Sequence, residues 1–291
     1  MMPAAILFAL LGACSSAPRN AAPESNYIPD GNYYLLMAEI AVQRKAWFTA
    51  AEQYLNAAEQ SDDPELAQRA AEFAADYGYE TFALSAARRW LELEPDHRGA
   101  HELAGRLYLR RHDEARAFEH FSAALGGEVS DESWPALDAD LADEDNASGV
   151  TSVFRQFARR YPDSVGLQAA LARSALRSGD HALALHAARR FARADPEAYE
   201  RQLLVARALM AVGEDFAALT RVESLRGDAT PVAVELEYIR LLSASGRTPR
   251  AMAHLAQLAR TYGAQPDFVR MHAPVSYTHS EPTRLRRISY A

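Results

Sequence analysis

The stretch GRLYLRRHDEARAFEHFSAAL, residues 105–125, decides the fold, because Gly105, Tyr108, Ala117, Phe121 and Ala124 fall at offsets 0, 3, 12, 16 and 19. Small residues at this spacing let two helices approach closely, and a large residue between them fills the remaining space. With a start at Arg98, steps of 33 or 34 residues give further starts at Asp30 or Gly31, Pro64, Asp131, Val165, Tyr199 and Val232. Ala38, Ala50, Tyr54 and Ala57 fill the first copy, and Ala71, Ala83, Ala87, Trp90 and Pro95 the second. Leu171, Ala172, Ala175, Ala184, Ala188, Phe191 and Pro196 fill the fifth. Gly78, Gly179, Gly213 and Gly246 recur where paired helices turn, as a left-handed helix end requires. A proline late in the copy stops the second helix.

This phase resembles the tetratricopeptide repeat, a helix pair of ~34 residues, at its consensus positions 8, 11, 20, 24 and 27. The resemblance implies an all-α fold: an α-solenoid, a right-handed superhelix of about seven antiparallel helix pairs over residues 31–274. It further implies that the first helices line a concave groove for an extended peptide or partner helix. Family members commonly contact ligand through positions 2, 5, 9 and 12 of the first helix. Position 9 reads Glu39, Glu72, Arg106, Ala139, Arg173, Arg207 and Arg240, a groove running from acidic to basic. Arg173, Arg207 and Arg240 are the candidates for holding a partner's carboxylates, since the guanidinium fork matches that geometry. Equally open is that they are solvated or paired with neighbouring helices. The Lys/Asn carboxylate clamp of chaperone-binding relatives is not matched.

The fourth copy is irregular. Trp134, Leu137, Phe154 and Pro162 fit, but Asp138 stands at position 8, and seven acids with no basic residue lie between Asp131 and Asp145. A Ca²⁺ loop from Asp138, Asp140, Asp143 and Glu144 lacks the turn glycine and distal glutamate, so a solvated acidic surface or a frayed helix is expected. His97 and His101 have the i, i+4 spacing of metal ligands but no clear third partner, and read as surface histidines.

Cys14, in LLGACSS, is the one cysteine of the chain. It can form neither an internal disulfide nor a two-cysteine redox pair. MMPAAILFALLGA ahead of it has the length of a signal-peptide apolar region and is too short to span a bilayer. Leu11-Gly12-Ala13-Cys14 resembles the bacterial lipobox, which implies lipidation at Cys14 after removal of the leader (residues 1–14 being leader and lipobox). No Lys or Arg precedes the apolar run, and the native start is expected upstream. Residues 15–30, rich in Ser, Ala, Pro and Asn, read as a flexible tether. Ser15 after the cysteine fits sorting of proteobacterial lipoproteins to the outer membrane, here at its periplasmic face.

NYYLLMAEIAVQRKAWFTAAEQYLNAAEQSDDPELAQRAAEFA, residues 32–74, looks like the opening of proteobacterial outer-membrane TPR lipoproteins. Their best-known type is an adaptor that activates a periplasmic carboxyl-terminal processing protease and brings it peptidoglycan hydrolases. At the other end, DFVRMHAP looks like the start of an eighth repeat. VSYTHSEPTRLRRISYA, residues 275–291, resembles an in-frame translation of a transposase-type sequencing adapter and reads as a non-native tail. The solenoid is then expected to continue past residue 274.

A net charge of −8 without a concentrated basic face argues against nucleic-acid binding. No serine–histidine–aspartate order, paired-carboxylate motif or phosphate loop stands out, and no cofactor is implied. The sequence reads as a non-enzymatic binding scaffold. Other readings are a scaffold for outer-membrane or secretion-machinery assembly, and an envelope hydrolase with an unrecognised site.

Overall fold

The computed structural model describes residues 30–127, 129–227 and 230–262, and every regular element among them is an α-helix. The helices follow one another in pairs: α1 (Gly31–Gln43) with α2 (Trp47–Glu59), α3 (Pro64–Asp76) with α4 (Glu80–Leu93), and α5 (Arg98–Arg110) with α6 (Glu114–Leu125). Then come α7 (Ser133–Asp140) with α8 (Ala147–Arg160), α9 (Val165–Ser178) with α10 (His181–Arg193), α11 (Tyr199–Ala211) with α12 (Asp215–Ser224), and α13 (Val232–Ala244) with α14 (Thr248–Tyr262). First helices begin at Gly31, Pro64, Arg98, Val165, Tyr199 and Val232, the starts given by the repeat phase. The fold is an α-solenoid. Local chemistry sets many of these starts: Asp30, Asp63, His97, Asp113, Asn146, Ser164 and Asp180 each accept from a backbone N–H in the helix they precede.

Packing follows the repeat positions. Position 20 is Ala50, Ala83, Ala117, Val150, Ala184, Ala218 and Ala251, and all seven are buried. At position 8 Gly105 marks the closest approach: a Cβ there would lie 2.7 Å from the Phe121 ring. Burying a lone methyl contributes only about 0.8 kcal/mol, so each pair needs one large anchor. Tyr54, Phe121 and Phe154 supply it from position 24. In the second and fifth pairs position 24 is Ala87 or Ala188, and the bulk comes instead from position 27, as buried Trp90 and half-buried Phe191. The large residue is thus exchanged between two sites one helical turn apart, at roughly constant volume.

The fourth pair departs from the rest. Pairing has been cut to a short α7, which packs on α9, while α8 packs on α6 and α9. Both Phe154 and Phe157 are buried, and Phe157 meets Phe118 at 4.8 Å and Trp134 at 5.2 Å between ring centres. The acidic segment is only partly solvated. Asp138 is buried against Arg173 and Arg177, and Glu144 bonds Arg110, so these two carboxylates are structural parts of the solenoid. The leader, Cys14, residues 15–29 and the residues after 262 lie outside the described residues.

Candidate functional site

The position-9 column lies on the first helices, and the structure divides it into differently engaged members. Glu39 accepts from Tyr54 Oη at 2.8 Å and pairs with Arg69 at 2.6 Å. Burial, then the bond to Glu39, pushes the Tyr54 phenol up to about 12. Glu72 accepts from Gln68 Nε2 at 2.8 Å, and Ala139 is exposed on α7.

The three C-terminal arginines are held by carboxylates of the same chain. Arg173 Nε and Arg177, one turn later on α9, clamp the two oxygens of Asp138 at 2.7 and 2.8 Å. Arg207 on α11 and Arg240 on α13 share Oε2 of Glu237 at 2.6 and 3.0 Å. Glu237 is 2% exposed, yet the side chains of Arg207 and Arg240 remain 44% and 50% exposed, so the carboxylate is an internal anchor and the guanidinium heads stay at the surface. Burial works to lower the Arg207 pKa, but the bond and charge of Glu237 together outweigh it and raise the value. Each set of two arginines on one carboxylate keeps a net positive charge, with donors to spare for an incoming anion.

Arg106 differs. Its Nε is buried with no hydrogen-bond partner, and among the described residues no carboxylate pairs with it. It opens into a cleft of about 340 Å³ between α3 and α5, walled by Glu72, Asp76 and Glu102 and backed by Trp90 and Leu103. Glu102 is already held by Arg98 at 2.7 Å. The cleft therefore offers unused donors on Arg106 beside acceptors on Glu72 and Asp76, a combination suited to peptide groups and charged side chains.

Six of the seven turns between paired helices place position 15 in the left-handed region: Lys45, Gly78, His112, Gly179, Gly213 and Gly246, with φ from 57° to 86°. No family model matches the chain. A TPR repeat-containing protein of Pseudomonas aeruginosa is 26% identical over 140 residues, which is 48% of this chain and 24% of that protein. The chain is thus similar, over that stretch, to a TPR repeat-containing protein. The chain spans about a quarter of that TPR relative's length. Among solved structures, a TPR protein from Parabacteroides merdae is 13% identical at a TM-score of 0.40, over 82% of this chain and 96% of that one. Pseudomonas aeruginosa pilF is 17% identical at a TM-score of 0.36, over 77% and 99%. PilW, a type IV pilus biogenesis factor, is 16% identical at 0.34, over 82% and 97%. Likenesses this distant say nothing of what this chain binds.

The remaining residues singled out by sequence do not converge. Asp138 and Glu144 bind different arginines, Asp140 and Asp143 are exposed, and no group of three or more metal-ligating side chains occurs among the described residues. His97 caps α5, while His101 bonds His120 at 2.9 Å and the Pro95 carbonyl at 2.9 Å. Asp138 and Glu237 are the site residues that sequence reasoning missed. Asp138 carried a signal, an acid where the other copies have Ala, Gly or Ile, opposite arginines spaced i, i+4. Glu237 stands three residues before Arg240, a spacing that marks that pair, but nothing in the sequence marks its bond to Arg207, 30 residues away.

Proposed function

We propose that this chain is a non-enzymatic, protein-binding adaptor of the bacterial cell envelope. In this reading it is lipid-anchored through Cys14 to the periplasmic face of the outer membrane and holds a processing protease or cell-wall enzyme near its substrates. The observation that carries the binding role is Arg106, a cation without an internal partner in a cleft on the first-helix face. Arg173, Arg207 and Arg240 extend the same column with half-exposed guanidiniums already oriented by buried carboxylates, which lowers the entropy lost on binding. The LLGACSS motif and the resemblance of residues 32–74 support the envelope setting.

Arg106 is also the clean probe, because removing it strands no internal charge. Arg106→Ala is expected to lower partner affinity by roughly tenfold or more, as loss of a charge-assisted bond does, and to leave the melting temperature unchanged. The measurement is affinity capture from envelope extracts on the complete reading frame, followed by titration of the recovered partner. A protease or peptidoglycan enzyme in the eluate supports the adaptor reading; recovery of secretion or outer-membrane assembly machinery in its place overturns it. Cys14→Ala should abolish processing and membrane fractionation, and unchanged fractionation would remove the anchor.

A further inference from the structure

Outside the groove, the first two turns between paired helices form an aromatic edge. Trp47 stacks on Tyr77 at 4.7 Å and 18° between planes, Tyr77 meets Phe73 at 4.7 Å, and Phe48 packs on Tyr79 at 5.6 Å and on Phe82 at 5.4 Å. The rings are not sealed in: Phe48 is 56% and Tyr77 43% exposed. Arg44 and Lys45, both exposed, immediately precede them in the same turn. Phe73, Tyr79 and Phe82 seat the edge on the buried core, whereas Trp47, Phe48 and Tyr77 stand outside both core clusters.

We propose that this edge docks on the lipid surface to which the N-terminus is tethered, and so sets the orientation of the solenoid on the membrane. The inference rests on the anchoring proposed above. Composition and position both favour lipid. Tryptophan and tyrosine put an apolar ring and a polar tip at the level of the headgroups, a phenylalanine reaches below them, and adjacent Lys and Arg meet lipid phosphates. The tether enters at Asp30, and α1, 13 residues long, carries the chain only about 20 Å to the edge. Sixteen residues, 15–30, lie between Cys14 and α1, and a free chain of that length has a root-mean-square reach of about 22 Å, comparable to that distance. It confines the edge to the membrane at an effective concentration of order millimolar. A patch too weak to bind vesicles alone is then mostly docked, and the first-helix groove stays free for a protein.

The test uses the lipid-modified full-length protein in vesicles of phosphatidylethanolamine with a minor fraction of phosphatidylglycerol, doped with a headgroup-spin-labelled lipid. Of the three tryptophans, Trp90 and Trp134 are 2% and 1% exposed, so contact quenching by the label reports Trp47. Expected are flotation with the vesicles and strong quenching, removed by Trp47→Phe. The double variant Lys45→Glu/Phe48→Glu alters exposed side chains only; it should still float, with quenching reduced several-fold. Flotation without quenching in the unaltered protein overturns docking and leaves the anchor standing, whereas no flotation overturns both. Quenching that survives the double variant would put a different face on the lipid and also overturn the proposal. So would Trp47 shielding that requires an added protein instead of vesicles.

Discussion

Lys45 and His112 hold φ values of 58° and 57° at turns where other copies use glycine. A side chain there costs about 1–2 kcal/mol that glycine avoids. Lys45 is exposed, so Lys45→Gly should stabilise the chain by about 0.5–1 kcal/mol, measured by urea denaturation, whereas Gly179→Ala should destabilise it by about 1 kcal/mol. Asp138 gives a larger effect. Replacing both Arg173 and Arg177 by alanine leaves its carboxylate buried without a cation and should cost about 3–5 kcal/mol; Asp138→Ala should cost less, because both arginines can turn to solvent. A third residue-scale effect concerns the histidine pair. His101 Nε2–H donates to the Pro95 carbonyl, so in the neutral pair His101 Nδ1 accepts from His120 Nδ1–H. Burial, then the neighbouring His101, holds the His120 pKa below its usual 6.5. The unfolded chain therefore takes up the proton first, and this contribution to stability is complete above 6.5 and lost as pH falls from there through the lower folded value. Melting temperatures between about pH 7 and about pH 5 should fall less steeply in His120→Gln, whose amide can keep the bond to His101.

Helix pairs are joined by contacts that respect the repeat period. Arg89 on α4 donates to the carbonyls of Ala58 and Ser61 at the end of α2, and Arg190, at the same repeat position on α10, donates to Pro162 O just after α8. Each guanidinium thus satisfies carbonyls that the preceding pair leaves open at a helix C-terminus. The exchange between positions 24 and 27 makes the anchors individually indispensable: with Ala87 beside it, nothing compensates for Trp90, and Trp90→Ala should cost about 3–5 kcal/mol in denaturant titration. In the fourth pair, Asn146 caps α8 and also donates to Leu109 O at 2.7 Å at the end of α5, so the irregular turn is fastened to the pair before it.

At the scale of the molecule, buried apolar side chains form two clusters, one around Tyr54 and Trp90 in the first three pairs and a larger one reaching Leu258. Stacked pairs contact mainly their neighbours, so unfolding should proceed in parts. Single-tryptophan proteins reporting Trp90 or Trp134 are expected to show different urea midpoints; coincident curves would mean one cooperative unit. The repeat was legible because it is a matter of spacing: small residues at positions 8 and 20, glycine at the turn and capping residues act within one pair, and sequence alone determined the helix order and most first-helix starts. Charge on the groove was not legible in the same way. Sequence placed Glu39, Glu72, Arg106, Arg173, Arg207 and Arg240 on one face, but which of them is free depends on side chains 30 to 35 residues away, such as Glu237 for Arg207 and Asp138 for Arg173. Only the tertiary structure decided that Asp138 and Glu237 are buried anchors and that Arg106 is left without one, because a buried charge must find its partner in space and spacing along the chain does not name it.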